Sequence, residues 1–132
     1  MRKKPALTAV DVESIVVACE SEAAKNKWNV SIAVTDESGY LMALRRMDGA
    51  RGHTAEVACQ KAKGAALTGR PSKLLEDRLK ERIAFLNFPD TLPIQGGIPL
   101  LYENECVGAI GVSGAQSHED ELVANAGAAT IK

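Results

Sequence analysis

The first third of the chain switches from a helical to an extended pattern of apolar positions. Apolar residues recur three and four apart over 12–23, and Thr8 stands before them with an acid three residues later. A capping hydroxyl followed by this spacing predicts an amphipathic helix. Two apolar segments, 30–35 and 40–46, then flank a polar turn that ends in Gly39. This arrangement predicts a β-hairpin.

The middle of the chain predicts two helices of different character. Residues 53–68 are rich in Ala and end at Gly69, whose missing Cβ suits a left-handed cap. Ser72 is placed to cap a third helix over approximately 73–82, which has one narrow apolar edge among charged residues. We expect this third helix to lie at the surface.

The last third predicts a loop, a second hairpin and a final helix. Residues 85–99 hold three prolines and a Gly-Gly pair, which forbid a long regular element, although 92–94 can form a short edge strand. Segments 98–102 and 106–114 read as strands joined by a polar turn, and a helix begins at 117. The glycines of the last strand indicate that another element packs closely against it.

The order α-β-β-α-α-(β)-β-β-α predicts an α+β fold, an antiparallel sheet of about five strands flanked by helices. A chain of 132 residues suits one domain, spanning 1–132. Small residues are abundant and aromatic residues make up only 4%. We therefore expect elements to approach each other through small side chains.

Charge and cysteine content narrow the function classes. Sixteen Lys and Arg against seventeen Asp and Glu give a net charge of −1, so the chain has no overall field for nucleic acid or an anionic membrane. No run approaches the ~20 apolar residues of a membrane span. Cys19, Cys59 and Cys106 lack metal-binding spacing. We expect buried, reduced thiols and a cytoplasmic protein.

Candidate chemistry begins where the first hairpin ends. Arg46 can offer a planar fork of donors to a carboxylate, or it can form an ion pair with Asp48 that fixes the turn. His53 stands at a helix start, where the dipole favours a neutral ring able to bind a metal or accept a proton. A solvated or capping role is the alternative for His53, and more strongly for His118. No paired-histidine motif is present, which disfavours a dedicated catalytic metal site.

Three further positions are weaker candidates. Lys61 can point inward, toward a ligand carboxylate or Asp120, but the usual exposure of lysine favours the outer face of its helix. Residues 95–99 can aim backbone N–H groups at an anion, although they lack the Lys-Ser/Thr of a phosphate-binding loop and do not directly begin a helix. Ser113 is not in a nucleophile-elbow motif, so a serine hydrolase is improbable.

Seven blocks of the sequence form a recognisable combination: 32–39, 46–50, 61–62, 93–100, 108–115, 120–121 and Ala124. Together they resemble the GlcG/HbpS-like family, which includes the C-terminal domain of PduO-type corrinoid adenosyltransferases. The resemblance covers nearly the whole chain and follows the family's order. It implies a profilin-like fold, assembly into homo-oligomers and, for several members, haem binding.

Two principal hypotheses follow. The first is a small-ligand-binding protein for haem or a related tetrapyrrole, with His53 as the candidate ligand of the haem iron. Its candidate ligand-binding residues are Arg46, His53, Gln95, Gly96, Gly97 and Ser113. The alternative is a cofactor-independent isomerase, tautomerase or lyase acting on a small anionic organic acid. In that enzyme Arg46 would hold the carboxylate, and Asp48, His53 or Lys61 would move the proton. A purely structural oligomerisation subunit is a third possibility.

Overall fold

A computed structural model describes residues 1–132. It contains four α-helices, four strands and one 3-10 turn. The helices are α1 (Ala9–Lys25), α2 (His53–Thr68), α3 (Ser72–Arg78) and α4 (Ser117–Ala128). The strands are β1 (Ser31–Asp36), β2 (Leu41–Arg46), β3 (Gly97–Tyr102) and β4 (Glu105–Ser113), and the 3-10 turn is Ile83–Asn87. None of the helices is long and apolar enough to cross a membrane.

The strands form one antiparallel sheet in the order β2-β1-β4-β3. This confirms the α+β class and both hairpins. The expected count of about five strands is wrong, because residues 92–94 do not pair with the sheet. The N–H of Ile94 instead donates to the carbonyl of Leu92 over 2.8 Å, a three-residue turn that bends the segment out of the extended form.

The two faces of the sheet are packed differently. Residues such as Ile32 and Ile110 point to the face covered by α1 and α4 and belong to a core cluster of 15 buried residues. The alternate residues, such as Ala33, point to the face covered by α2, where they meet Ala58 and Ala62. This division follows from the two-residue period of a strand.

Helix α2 lies unusually close to β4. A Cβ added to Gly111 would stand 2.0 Å from the carbonyl oxygen of Ala58 and 2.5 Å from the nitrogen of Ala62. No side chain fits in that space, so glycine is required here. The expectation of close packing against the last strand is confirmed.

The helix ends confirm two predictions and correct a third. Thr8 and Asp11 form a reciprocal capping box at α1, and Gly69 ends α2 in the left-handed conformation at φ 66°. Ser72, however, does not cap α3, and that helix ends at Arg78. The Ser72 hydroxyl is buried and donates to the Ile94 carbonyl (2.6 Å) while accepting the N–H of residue 97 (2.8 Å). These long-range partners replace the local cap.

All three cysteines are free thiols. Cys19 is fully buried as expected, whereas Cys59 and Cys106 are only half-buried. Cys59 lies on α2 beside the small alanine cluster, and Cys106 lies in the half-buried start of β4. Burial therefore protects one thiol completely and two in part.

Candidate functional site

Two surface concavities lie at opposite ends of α2. The first, here called the polar cleft, has a volume of about 570 Å³ and is lined by residues from segments 27–29, 49–54 and 113–116 and by Glu119. The second, here called the apolar groove, has a volume of about 310 Å³ and lies between the end of α2, α3 and the 3-10 turn. Both fall near or within the range of roughly 300–1,000 Å³ that is usual for small-molecule sites.

The polar cleft brings together two of the candidate residues, His53 and Ser113. His53 is exposed at the first position of α2. Ser113 ends β4 and is only 8% exposed, yet its hydroxyl forms no hydrogen bond within the protein. The cleft thus presents an imidazole and an unpartnered hydroxyl to the same space.

Arg46 and Asp48 lie outside the wall of the polar cleft. Both are exposed, and the expected Arg46–Asp48 ion pair does not form. Arg45, one residue earlier, faces α1 and pairs with Glu20 over 2.6 Å. The guanidinium of Arg46 instead approaches the start of α2, where its Nη1 lies 3.0 Å from the position of a Cβ on Gly52. Arg46 therefore stands at the margin of the cleft without an acidic partner.

Lys61 contradicts the expectation that it lies on the outer face of its helix. It is 2% exposed, and its ammonium donates to the carbonyl oxygen of Val112 (2.9 Å) and to Oδ2 of Asp120 (3.2 Å). The other carboxylate oxygen of Asp120 accepts the N–H of Ala115 (2.9 Å). Burial raises the pKa of Asp120, while the Ala115 N–H and Lys61 oppose that rise. The inward pairing with Asp120 is the arrangement that the structure contains.

Gly96 and Gly97 leave room for Lys61, and Gln95 binds elsewhere. A Cβ on Gly96 would stand 2.8 Å from Nζ of Lys61, and one on Gly97 would stand 2.4 Å from the Lys61 carbonyl oxygen. The side chain of Gln95 donates to Glu121 over 2.7 Å. These three candidate ligand-binding residues therefore contact the protein itself and do not line the polar cleft.

The four residues of the enzyme hypothesis do not converge on one cavity. His53 lines the polar cleft, Arg46 and Asp48 are exposed outside it, and Lys61 is enclosed in an ion pair. No group of three or more His, Cys, Asp or Glu side chains could hold a metal ion. The geometry therefore does not bring all four residues together around one substrate.

The apolar groove was not identified from the sequence. Its wall combines leucines and phenylalanines with two arginines, and Arg78 stacks over the ring of Phe85 at 5.7 Å. The narrow leucine edge of α3 was the available signal, but the groove exists only because the 3-10 turn folds beside it. Its lining residues are Leu67, Thr68, Arg70, Leu74, Leu75, Arg78, Phe85 and Phe88.

Comparisons with known proteins agree on one family. The family described as haem-degrading protein HbpS-like matches residues 7–129. GlcG of Escherichia coli K12 is 39% identical over 114 residues, which cover 86% of this chain and 85% of GlcG. A crystal structure of HbpS is 32% identical, with a TM-score of 0.93 over 100% of this chain and 94% of that one.

A more distant solved structure supports the fold. The PduOC:heme complex has a TM-score of 0.88 at 22% identity, covering 97% of this chain and 96% of that one. The order and packing of the elements described above are thus shared with solved relatives, and the family match spans nearly the whole chain. This chain belongs to the HbpS-like family.

Proposed function

We propose that this protein binds haem or a related tetrapyrrole and that the macrocycle lies in the apolar groove. The observation that carries the proposal is the chemistry of the groove wall. Five of its eight lining residues are hydrophobic, and three large ones stay partly open to solvent, Leu67 at 46%, Phe88 at 42% and Leu74 at 37%. A flat apolar ligand would remove this surface from water, which is favourable at about 25 cal/mol per Å².

Two arginines add specificity for an acidic ligand. Arg70 and Arg78 line the groove beside the apolar side chains, and neither forms an ion pair within the protein. Guanidinium groups bind carboxylates through paired, charge-assisted hydrogen bonds. A porphyrin carries two propionates next to a broad apolar face, and the groove presents the matching groups.

The groove supplies no strong ligand for iron. It contains no His, Cys, Met or Tyr, and the hydroxyl of Thr68 already donates to the carbonyl of Gly64 over 2.8 Å. His53 is 14 residues from Leu67 along α2, about 21 Å at the rise of a helix. Haem would contribute its redox-active iron, while the chain would hold the ring face and propionates. Iron-free protoporphyrin IX should therefore bind about as well as hemin.

Relatives favour a tetrapyrrole among flat acidic ligands. One solved structure of this fold is described as a PduOC:heme complex, and the family description names haem degradation. The competing arrangement is the sequence-based one, with iron bound by His53 in the polar cleft. Only three of the thirteen residues lining that cleft are hydrophobic, which suits a porphyrin face poorly.

Titration with hemin and with protoporphyrin IX tests the proposal. We expect saturable Soret shifts for both, about tenfold weaker binding in Arg70→Gln and in Arg78→Gln, and unchanged binding in His53→Ala. Binding of hemin alone that is lost in His53→Ala would place the ligand in the polar cleft instead. Absence of any saturable shift would refute tetrapyrrole binding.

We also propose that the chain self-associates, as its family resemblance implies. Strand β2 is an edge of the sheet, and Tyr40, Leu41 and Leu44 on and beside it are 75%, 51% and 43% exposed. An edge with unpaired backbone groups and apolar side chains favours pairing with a second copy. Light scattering should give a multiple of 14.0 kDa, and Leu44→Glu should reduce it. A monomeric wild-type protein would contradict this.

A further inference from the structure

We infer that the polar cleft is a second binding site, separate from the apolar groove, for a small organic acid or phosphate ester. The first support is the start of α2. Its cap residue Gly52 provides no side chain, and the backbone N–H groups of Arg51, Gly52 and His53 donate to no group of the protein. Free N–H groups at the positive end of a 16-residue helix attract oxyanions.

The second support is independent of the helix. Ser113 is 92% buried by its 8% exposure, it lines the cleft, and its hydroxyl has no partner. The hydroxyl is not enclosed by the protein, because the fully buried side-chain polar atom that lacks a partner is the hydroxyl of Thr35. The small exposed part of Ser113 therefore includes its oxygen atom. A nearby hydroxyl pair shows the contrast, because Ser31 and Thr54 bond to each other over 2.9 Å. The free hydroxyl of Ser113 is therefore available to a bound oxygen atom.

The third support is the local charge. Lys27 and Arg51 line the cleft, Arg46 stands at its margin, and none of the three has an acidic partner. Glu119 is the one acid in the lining, and its carboxylate accepts the N–H of Gln116 at the start of α4. The protein as a whole carries a charge of −1. The cleft is thus a cationic patch on a slightly anionic molecule.

The size and polarity of the cleft indicate the size and polarity of the ligand. A volume of about 570 Å³ exceeds the need of a bare ion and suits a small molecule. Ten of thirteen lining residues are not hydrophobic, so the carbon skeleton should carry hydroxyl groups. The shared chemistry is an oxyanion on a hydroxylated skeleton, whether the anion is a carboxylate or a phosphate.

NMR titration of ¹⁵N-labelled protein with malate, glycerol 3-phosphate and neutral glycerol tests this inference. We expect saturable shifts of the amides of residues 51–53 and 113 with at least one of the two anions and none with glycerol. Ser113→Ala and Arg51→Gln should each weaken anion binding about tenfold. Arg82→Gln is the matched control and should bind anions as the wild type does, because Arg82 is exposed and lines neither the polar cleft nor the apolar groove.

Three results would overturn the inference. These are shifts of equal size with glycerol, wild-type anion affinity in both cleft variants, or no saturable shift with either anion. Porphyrin titrations of the same variants separate this inference from the proposed function. Arg51→Gln should lose anion affinity in the polar cleft and keep porphyrin binding in the apolar groove. Failure of the anion site would therefore leave the proposed porphyrin site standing, and the reverse holds as well.

Discussion

Lys61 and Asp120 form an ion pair whose removal gives a sharp test of how this fold is held together. Their side chains are 2% and 3% exposed, with Nζ and Oδ2 3.2 Å apart. Lys61→Met removes the charge and keeps an unbranched apolar chain of similar length. It leaves the Asp120 carboxylate buried, with only the N–H of Ala115 as a partner.

The expected cost follows from this isolation. Removing one partner of a buried pair costs about 3–5 kcal/mol, because the remaining charge is neither solvated nor compensated. For a domain of 132 residues, that corresponds to a fall in Tm of about 10–20 °C. In Lys61→Met/Asp120→Asn no charge remains, and Asn keeps an acceptor for Ala115. The double variant should therefore lose about 2–3 kcal/mol less than the sum of the single variants.

The effect of pH has a defined sign. Burial already places the pKa of Asp120 above its ordinary value of 3.8, and loss of Lys61 removes a group that lowers it. A carboxyl whose pKa is raised on folding favours the folded state most when it is protonated. The stability deficit of Lys61→Met should consequently shrink as the pH falls from 7 toward 4.

Urea denaturation of the single and double variants measures these quantities. Lys73→Met is the matched control, because Lys73 lies 2.8 Å from Asp77 in an exposed pair on α3. Its urea midpoint should equal that of the wild type. Two results would refute the claim that burial makes this pair important for stability. One is a loss of unfolding free energy below about 1 kcal/mol in Lys61→Met, and the other is strict additivity of the two single variants in the double variant.

Three further predictions concern packing, capping and thiol protection. Gly111→Ala should lower the free energy of unfolding in urea by about 3 kcal/mol or more, because its Cβ would lie 2.0 Å from the Ala58 backbone. Gly69→Ala should cost only about 1 kcal/mol, because Gly69 has free space around it and only its φ of 66° disfavours a side chain. Hydrogen bonds from residue 8 lower the pKa of Asp11. The ionised Asp11 therefore stabilises the folded state above about pH 4, and this stabilisation is lost below that pH. Asp11→Ala should flatten that part of the acid-unfolding profile, and an unchanged profile would contradict this. Burial raises the pKa of Cys19 to about 12, so a thiol reagent at pH 8 should modify it only at the rate of unfolding, and modification as fast as that of the other two cysteines would refute the assignment.

Much of the fold could be predicted because its helices and strands depend on residues that are close together in the sequence. The period of apolar residues over 12–23 and the capping pair at Thr8 are properties of neighbours in the chain, and the structure reproduces both. The glycines of β4 predicted a close approach, and α2 provides it at Gly111. The predicted fifth strand is the exception. Its residues 92–94 form a turn closed by the N–H of Ile94 and the carbonyl of Leu92, and the amino-acid composition of the segment does not reveal that turn.

The candidate site was harder to predict from the sequence because its contacts join segments that are far apart in the chain. Lys61 is buried only because Gly96 and Gly97, more than 30 positions later, leave space beside it. No local pattern around Lys61 reports that space. The apolar groove similarly requires α2, α3 and the 3-10 turn to meet, and Phe85 gave no sign in the sequence of facing Arg78.

The most direct test of the proposed function is the location of a bound porphyrin by NMR. ¹⁵N-labelled protein would be titrated with iron-free protoporphyrin IX, which avoids paramagnetic broadening. We predict that the largest amide shifts fall within 67–78 and 85–88, while 27–29 and 113–116 remain unchanged. Shifts centred on His53 and Ser113, with none near Phe85 and Phe88, would contradict the placement of the tetrapyrrole in the apolar groove.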